Sequence, residues 1–251
     1  MPIKVVTLYL FYHPDNFGVR LDSVLHHSDF LPSEKEFFEF LKIRFATVGL
    51  NFDELEIHIW AALEVSEQRF ILNKSKYYTS NDGSRAQFNA SHYSSHALLL
   101  YQIARECFLN GRRDLADKIY FLNIATTATD LFYEVELPLR TGCDHPVGSV
   151  IGRANFENDS SLFFNNNCIL GGNFASNGDI IYPQILGNLF LHPKSVLVGN
   201  VTVTGIVVLS NSAYVKDVGS LNDVLVFGSS PNLITKPISN DLRRNHSFLF
   251  S

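Results

Sequence analysis

Residues 185–221 read ILGNLF LHPKSV LVGNVT VTGIVV LSNSAY VKDVGS L when divided into sixes, and each six begins with a large apolar residue. The same register holds upstream over residues 150–168, before an interruption at 174–184. A period of six is neither the 3.6 of a helix nor the two of an ordinary strand, so it predicts one short strand and one turn in every hexad. The residues expected to point inward are Val150, Phe156, Leu162, Cys168, Ile185, Leu191, Leu197, Val203, Leu209, Val215 and Leu221.

Asparagine and glycine cluster where these hexads would turn. They occur at residues 165–167, 171–173 and 199–200, and both residue types tolerate the positive φ angles of tight corners. Three hexads close one triangular coil, so the eleven hexads predict between three and four coils of a parallel β-helix, each buried by stacking on the next. A β-rich sandwich with accidental spacing is the alternative.

The interruption, FASNGDIIYPQ at 174–184, leaves the phase of the repeat unchanged. We therefore expect a loop that protrudes from one edge of the solenoid, where binding residues tend to lie. The solenoid as a whole is expected to span residues 136–236, followed by a C-terminal tail at 237–251.

The first half of the chain has the pattern of helices. A capping box, SEKE at 33–36, precedes apolar residues at helical spacing, and Gly49 ends this pattern. Further helices are predicted at about 51–69, 94–109 and 112–128, with a strand at 3–12 and a long polar loop at 73–90. The expected fold class is α+β: an α-rich region at 1–85 of unclear role, a helical pair at 86–135 that packs on the solenoid, and the β-helix.

Composition excludes several classes of protein. The 251 residues include 20 Lys and Arg against 25 Asp and Glu, which argues against a nucleic-acid-binding or anionic-membrane surface. No apolar run approaches the roughly 20 residues of a membrane span. The three scattered cysteines fit neither a disulfide framework nor a metal cluster, so we expect a reducing cytoplasm and no metal.

Seven short motifs follow one another in a fixed order: SHAL at 95–98, NGRRDLA at 110–116, VELP at 135–138, DH at 144–145, GSVIG at 148–152, ILGG at 169–172 and VFGSSP at 226–231. Their order and spacing, after a helical N-terminal region, resemble the serine acetyltransferase branch of the hexapeptide acyltransferases. The resemblance covers about residues 90–236. It implies a left-handed β-helix and the direct transfer of an acetyl group from acetyl-CoA to a hydroxyl, without a metal.

The resemblance also implies roles for residues of the catalytic site. His145 would be the general base, a task suited to histidine because its unperturbed pKa lies near 6.5. Glu136 would orient it, in place of the family's aspartate, and Asp144 would contact the acceptor, with a turn role for Asp144 as the alternative. Backbone amides at Gly171 and Gly172 would stabilise the oxyanion.

Acetyl-CoA would lie in the groove between neighbouring solenoids of a homotrimer, covered by the 174–184 loop. The matching contact positions are Gly171, Gly172, Pro193 and Ser210, for which a plain role as solenoid corners is the alternative. Pairing of two trimers through the helical region is left open.

The family's acceptor motif, Asp-Arg-His-Pro, is DIIYP at 179–183 here, so Ile181 and Tyr182 replace both cationic residues. The family's aspartate near the substrate amine matches Asp82 loosely. Loss of the carboxylate clamp disfavours an amino-acid acceptor, whereas a sugar ring can stack on tyrosine. The sequence therefore favours O-acetylation of a cell-surface polysaccharide or its precursor. The alternatives are a serine O-acetyltransferase of cysteine biosynthesis and a non-catalytic hexapeptide scaffold.

Overall fold

The computed structural model describes residues 32–72 and 92–247. In these ranges four helices precede a parallel β-solenoid, and a fifth follows it. The helices are α1 (Pro32–Thr47), α2 (Phe52–Leu72), α3 (Tyr93–Leu109), α4 (Arg113–Thr127) and α5 (Asn240–Ser247). The predicted helical character of the N-terminal region is confirmed over the described residues 32–72 and 92–127. The predicted strand at 3–12, the loop at 73–90 and Asp82 lie outside the described residues.

Helix α3 packs against both parts of the molecule. Its Leu99, Leu100 and Ile103 lie in the core formed with α1, α2 and α4. Its Leu98 and Tyr101 lie instead in the core that fills the solenoid. All five side chains are buried, so this one helix contributes to both cores.

In the described part of the chain, fifteen strands lie between α4 and α5. They are β1 (Asp130–Leu131), β2 (Arg140–Cys143), β3 (Val150–Ile151), β4 (Asn155–Phe156), β5 (Ser161–Phe164), β6 (Ile169–Gly171), β7 (Asn173–Phe174), β8 (Ile180–Ile181), β9 (Gln184–Ile185), β10 (Asn188–Leu191), β11 (Val196–Val198), β12 (Val201–Leu209), β13 (Tyr214–Lys216), β14 (Gly219–Ser229) and β15 (Asn232–Pro237).

Parallel pairing arranges most of these strands on three faces. Face A contains β2, β5, β10 and the C-terminal parts of β12 and β14. Face B contains β1, β3, β6, β11 and β13. Face C contains β4, β9 and the N-terminal parts of β12 and β14. Together they form a left-handed β-helix of about five turns, which confirms the predicted fold class.

The predicted number of coils, between three and four, is wrong. The hexad count starts at Val150, but β1 and β2 precede this residue and already form rungs of faces B and A. These first rungs do not follow the six-residue spacing, so the sequence pattern could not include them.

Most of the predicted inward residues are buried, but the start of the register is wrong. Val150 is 39% exposed, and the next residue, Ile151, points inward instead. The cause is a short step: Ile151 and the next inward residue, Phe156, are five residues apart and not six. The corner before β3 is also longer than its counterparts. Six residues, 144–149, separate β2 from β3, whereas four residues, 192–195, separate β10 from β11. Phe156 is half-buried and packs against the solenoid core.

The region predicted as a tail contains helix α5, which covers face A. Ile238 and Leu242 pack against outward-facing side chains of this face, among them Phe190 and Ile206. Before this helix, β15 pairs antiparallel with β14. None of the described helices is long and apolar enough to span a membrane.

Candidate active site

His145 lies at the corner between faces A and B, directly after β2 and Asp144. Its backbone is left-handed, with φ of +48°, and its side chain is 82% exposed. Left-handed residues also occur at the other corners of this edge, at Asn167, Lys194 and Ser212, but each of those corners has four residues and not six. The two additional residues of this corner therefore present His145 to solvent, whereas the other corners of the same edge turn more tightly.

The corner that carries His145 is held from both sides. On the helical side, Thr129 Oγ1 donates a hydrogen bond to the Pro146 carbonyl at 3.2 Å. On the solenoid side, the buried Ser149 hydroxyl donates to the Asn165 carbonyl at 2.6 Å and accepts from the Cys168 amide at 2.9 Å. Hydrogen bonds on both sides therefore hold the backbone of the corner that carries the exposed histidine.

Asp144 is the carboxylate that contacts His145. Its Oδ1 lies 3.6 Å from Nε2 of the imidazole, and its side chain is 25% exposed. This distance is longer than a hydrogen bond, so the two side chains lie close together without being hydrogen-bonded.

Glu136 is placed away from His145, and the structure describes no contact between them. Its carboxylate pairs with Arg105 Nη2 of α3 at 3.1 Å and is otherwise exposed. Arg105 also donates to the backbone carbonyls of Tyr133 and Glu134, so α3 holds the whole segment that precedes β2. The predicted orienting contact of Glu136 is therefore not made in this structure.

Two of the predicted cofactor positions, Pro193 and Ser210, lie on the same edge of the solenoid as His145, at corners of later coils. The corner residues of successive coils stack above Asp144, each joined to the next by a backbone hydrogen bond. Pro193 follows β10, and Ser210 follows β12 one coil later. With about 4.8 Å between rungs, Ser210 lies about 14 Å along this edge from Asp144.

The predicted loop at 174–184 is a hairpin. Strands β7 and β8 pair antiparallel, and the Ala175 amide donates to the Asp179 carbonyl at 2.8 Å. The hairpin folds back onto Gly172, where an added Cβ would lie 2.5 Å from Ile180 Cγ2 and 2.8 Å from Tyr182 Cε1. The structure thus brings Gly172 and Tyr182 together, and only glycine leaves room for this contact.

Within one chain, the hairpin and His145 lie on opposite edges of face B. Gly171 ends β6 and Gly172 follows it at the far end of this face, whereas His145 lies at the opposite end, before β3. A strand of three residues spans about 10 Å, so the two groups of predicted site residues do not meet. Between them, face B exposes a row of apolar side chains, with Val150, Ile169 and Tyr214 each about 40% exposed.

The described residues do not offer a metal centre or a reactive thiol. In residues 32–72 and 92–247, no group of three His, Cys, Asp or Glu side chains is arranged to hold a metal. All three cysteines are buried, and burial raises the pKa of the Cys107 thiol to about 12 and that of Cys168 above its usual range. These thiols are protonated at neutral pH and are poor nucleophiles.

No family model matches this chain, and no curated protein matches it. Solved structures do. Serine acetyltransferase from Vibrio cholerae O1 biovar El Tor N16961 matches with a TM-score of 0.57 and 17% identity, over 76% of this chain and 73% of that one. Serine acetyltransferase from Neisseria gonorrhoeae in complex with serine matches with a TM-score of 0.53 and 16% identity, over 73% of each chain. A serine acetyltransferase in complex with CoA is matched over only 56% of its length, with a TM-score of 0.45.

These likenesses show the fold. The chain has the architecture of the serine acetyltransferases, a helical N-terminal region followed by a left-handed hexapeptide-repeat β-helix.

Proposed function

We propose that this chain is an O-acetyltransferase that uses acetyl-CoA as donor and His145 as general base. The observation that carries the proposal is the corner at 144–149, which is two residues longer than its counterpart at 192–195 and presents a left-handed histidine beside a carboxylate. The shared architecture with serine acetyltransferases supports it. The protonated, buried cysteines argue against a thiol acyl-enzyme and in favour of direct transfer.

The proposed proton path uses the residues of this corner. A neutral imidazole takes the proton of the acceptor hydroxyl as its oxygen attacks the thioester carbonyl carbon. The Asp144 carboxylate, 3.6 Å away, stabilises the resulting imidazolium. The C–S bond then breaks, and the departing CoA thiolate receives the proton from His145. The base is restored, and no further reagent is needed.

We propose that the functional unit is a homotrimer in which face B contacts a neighbouring copy. One chain alone keeps His145 and the hairpin on opposite edges, so a second copy is needed to bring a hairpin to each histidine. The exposed apolar row on face B suits such a contact, because α5 covers face A, and face C presents polar residues such as Thr202 and Ser220. Pairing of two trimers through the helices is compatible with this arrangement.

Replacing Ile169 by Asp is expected to dissociate the trimer, because it places a charge in the middle of the apolar row. Light scattering should give the mass of three chains for the parent protein and a lower mass for the variant. Ser220→Asp, on face C, is the matched control and should leave the mass unchanged. A monomeric parent, or an unchanged mass for Ile169→Asp, would contradict the proposed interface.

We propose serine as the first acceptor to test. The solved structures that share this architecture are serine acetyltransferases, and one of them is a complex with serine. A saccharide hydroxyl is the second candidate. It is supported by the hairpin itself, because residues 173–184 include no Lys or Arg to hold a carboxylate, while Ile180 and Ile181 are exposed and Tyr182 is half-buried.

Release of free CoA thiol from acetyl-CoA should be measured with L-serine and with a panel of nucleotide sugars and oligosaccharides. We expect turnover on serine. Turnover on a sugar without turnover on serine would establish the second candidate, and absence of both turnover and CoA binding would favour a scaffold. The variant Ile181→Arg with Tyr182→His should lower KM for serine by about tenfold, because it restores a charge-assisted contact to the carboxylate.

A further inference from the structure

Two aspartates in the last coils have the same unusual backbone and the same task. Asp217 and Asp223 are left-handed, with φ of +52° and +50°. The carboxylate of each accepts a hydrogen bond from a backbone amide of the preceding coil: Asp217 from Asn200 at 2.8 Å, and Asp223 from Ile206 at 3.1 Å. Each side chain thus replaces a backbone acceptor where the coil turns.

Each carboxylate also binds a side chain from an element outside the repeat. Asp217 Oδ2 accepts a hydrogen bond at 2.7 Å from Asn173 Nδ2, at the base of the hairpin. Asp223 Oδ1 pairs with Arg243 of α5 at 3.1 Å. Asn173 and Asp217 are 44 residues apart in sequence, so this hydrogen bond connects the hairpin to a coil much later in the chain.

A glycine between them makes this fastening possible. Gly199 has φ of +79°, and an added Cβ would lie 2.0 Å from Asp217 Oδ1 and 2.8 Å from Asn173 Cβ. Three successive coils, represented by Asn173, Gly199 and Asp217, therefore converge at one point. We call this convergence the hairpin brace.

We propose that Asp217 is a positioning residue that fixes the hairpin at 173–181 in the orientation in which it binds substrate. Asp217 acts through Asn173 and does not itself touch substrate. The proposal rests on the proposed function, because it concerns the substrate-binding side of the same site. Without the brace, the hairpin is correctly oriented for a smaller fraction of the time, and apparent affinity falls in proportion to that fraction. Neither Asn173 nor Asp217 contacts His145 in the structure, so we expect loss of the brace to change binding more than the chemical step.

The test compares Asn173→Ala with Arg243→Ala. Asn173→Ala removes the side chain that binds Asp217, and Arg243→Ala removes the side chain that binds Asp223. In both variants the aspartate keeps its hydrogen bond from a backbone amide of the preceding coil. The first readout is hydrogen exchange of the hairpin amides, including Ala175 and Gly178, which are hydrogen-bonded in the structure. We expect exchange to accelerate about fivefold in Asn173→Ala and to be unchanged there in Arg243→Ala.

The second readout is kinetic. Asn173→Ala should raise KM for acetyl-CoA, for the acceptor, or for both by about fivefold, with kcat within about twofold of the parent, whereas Arg243→Ala should change neither constant. Asp217→Ala should reproduce Asn173→Ala, and the double variant should add nothing to either single change.

Unchanged hairpin exchange in Asn173→Ala would overturn the brace, as would a fall in kcat with KM unchanged. If the parent protein transfers no acetyl group, the proposed function fails, but the exchange experiment still tests the brace. If Asp217→Ala does not fold, Asn173→Ala alone carries the test, because it leaves the bond from Asn200 to Asp217 intact.

Discussion

Replacing His145 by alanine is expected to lower kcat for acetyl transfer by about 10²- to 10⁴-fold, the usual contribution of a general base. Stability should change little, because the side chain is 82% exposed. The measurement is steady-state release of CoA thiol, together with thermal unfolding of both proteins. Ser212→Ala is the matched control, since Ser212 has φ of +61° on the same edge and is exposed. It also puts alanine at a left-handed corner and should leave kcat unchanged.

Variants of Asp144 and Glu136 test which carboxylate supports His145. Asp144→Asn removes the charge beside the imidazole and should lower kcat by about tenfold. Glu136→Gln removes a carboxylate that pairs with Arg105, and we expect kcat within about twofold of the parent. Full activity in His145→Ala would exclude the general-base role. A larger loss in Glu136→Gln than in Asp144→Asn would show that Glu136 reaches the imidazole during the reaction.

Gly187→Ala is expected to lower the free energy of unfolding by about 3 kcal/mol, the upper range for overpacking of a core. Gly187 lies directly against the next coil, and an added Cβ would be 2.4 Å from the Gly205 carbonyl oxygen and 2.7 Å from the Gly205 nitrogen. Both are backbone atoms, so no side chain can rotate away. In a solenoid each coil is stabilised by its neighbours, and the distortion would weaken two coils at once.

Gly171→Ala is the control for Gly187→Ala. An added Cβ at Gly171 meets no atom within 4 Å, so the free energy of unfolding should change by less than about 0.5 kcal/mol. Urea unfolding of both variants at one protein concentration gives the comparison, since association would otherwise contribute to the measured stability. Equal stability of the two variants would contradict the close approach of Gly187 to Gly205.

The six-residue register predicts the interior of the solenoid well, because burial imposes an apolar residue at each inward position. The prediction is wrong at Val150, because the inward residues Ile151 and Phe156 are five residues apart and not six. The first rungs, β1 and β2, carry no hexad spacing, because α3 and its Arg105, not a preceding coil, hold the segment before β2.

The candidate site was predictable only in part. His145 and Asp144 are adjacent in sequence, so their proximity follows from the chain itself. The ion pair of Glu136 depends on Arg105, 31 residues earlier, and the brace depends on Asn173 and Asp217, 44 residues apart. Neither contact leaves a local signal. The six-residue register also indicates which residues point inward, but it does not show that His145 and the hairpin lie at opposite edges of face B.

Helix α3 has a further consequence for how the molecule unfolds. Repeat proteins commonly lose their terminal coils first, because an end coil has a neighbour on one side only. Here Leu98 and Tyr101 of α3 lie in the solenoid core, while Leu99, Leu100 and Ile103 of the same helix lie in the helical core. We therefore expect the first coil to open together with the helices, because α3 is shared by both cores. Unravelling should begin at the opposite end, where α5 is attached.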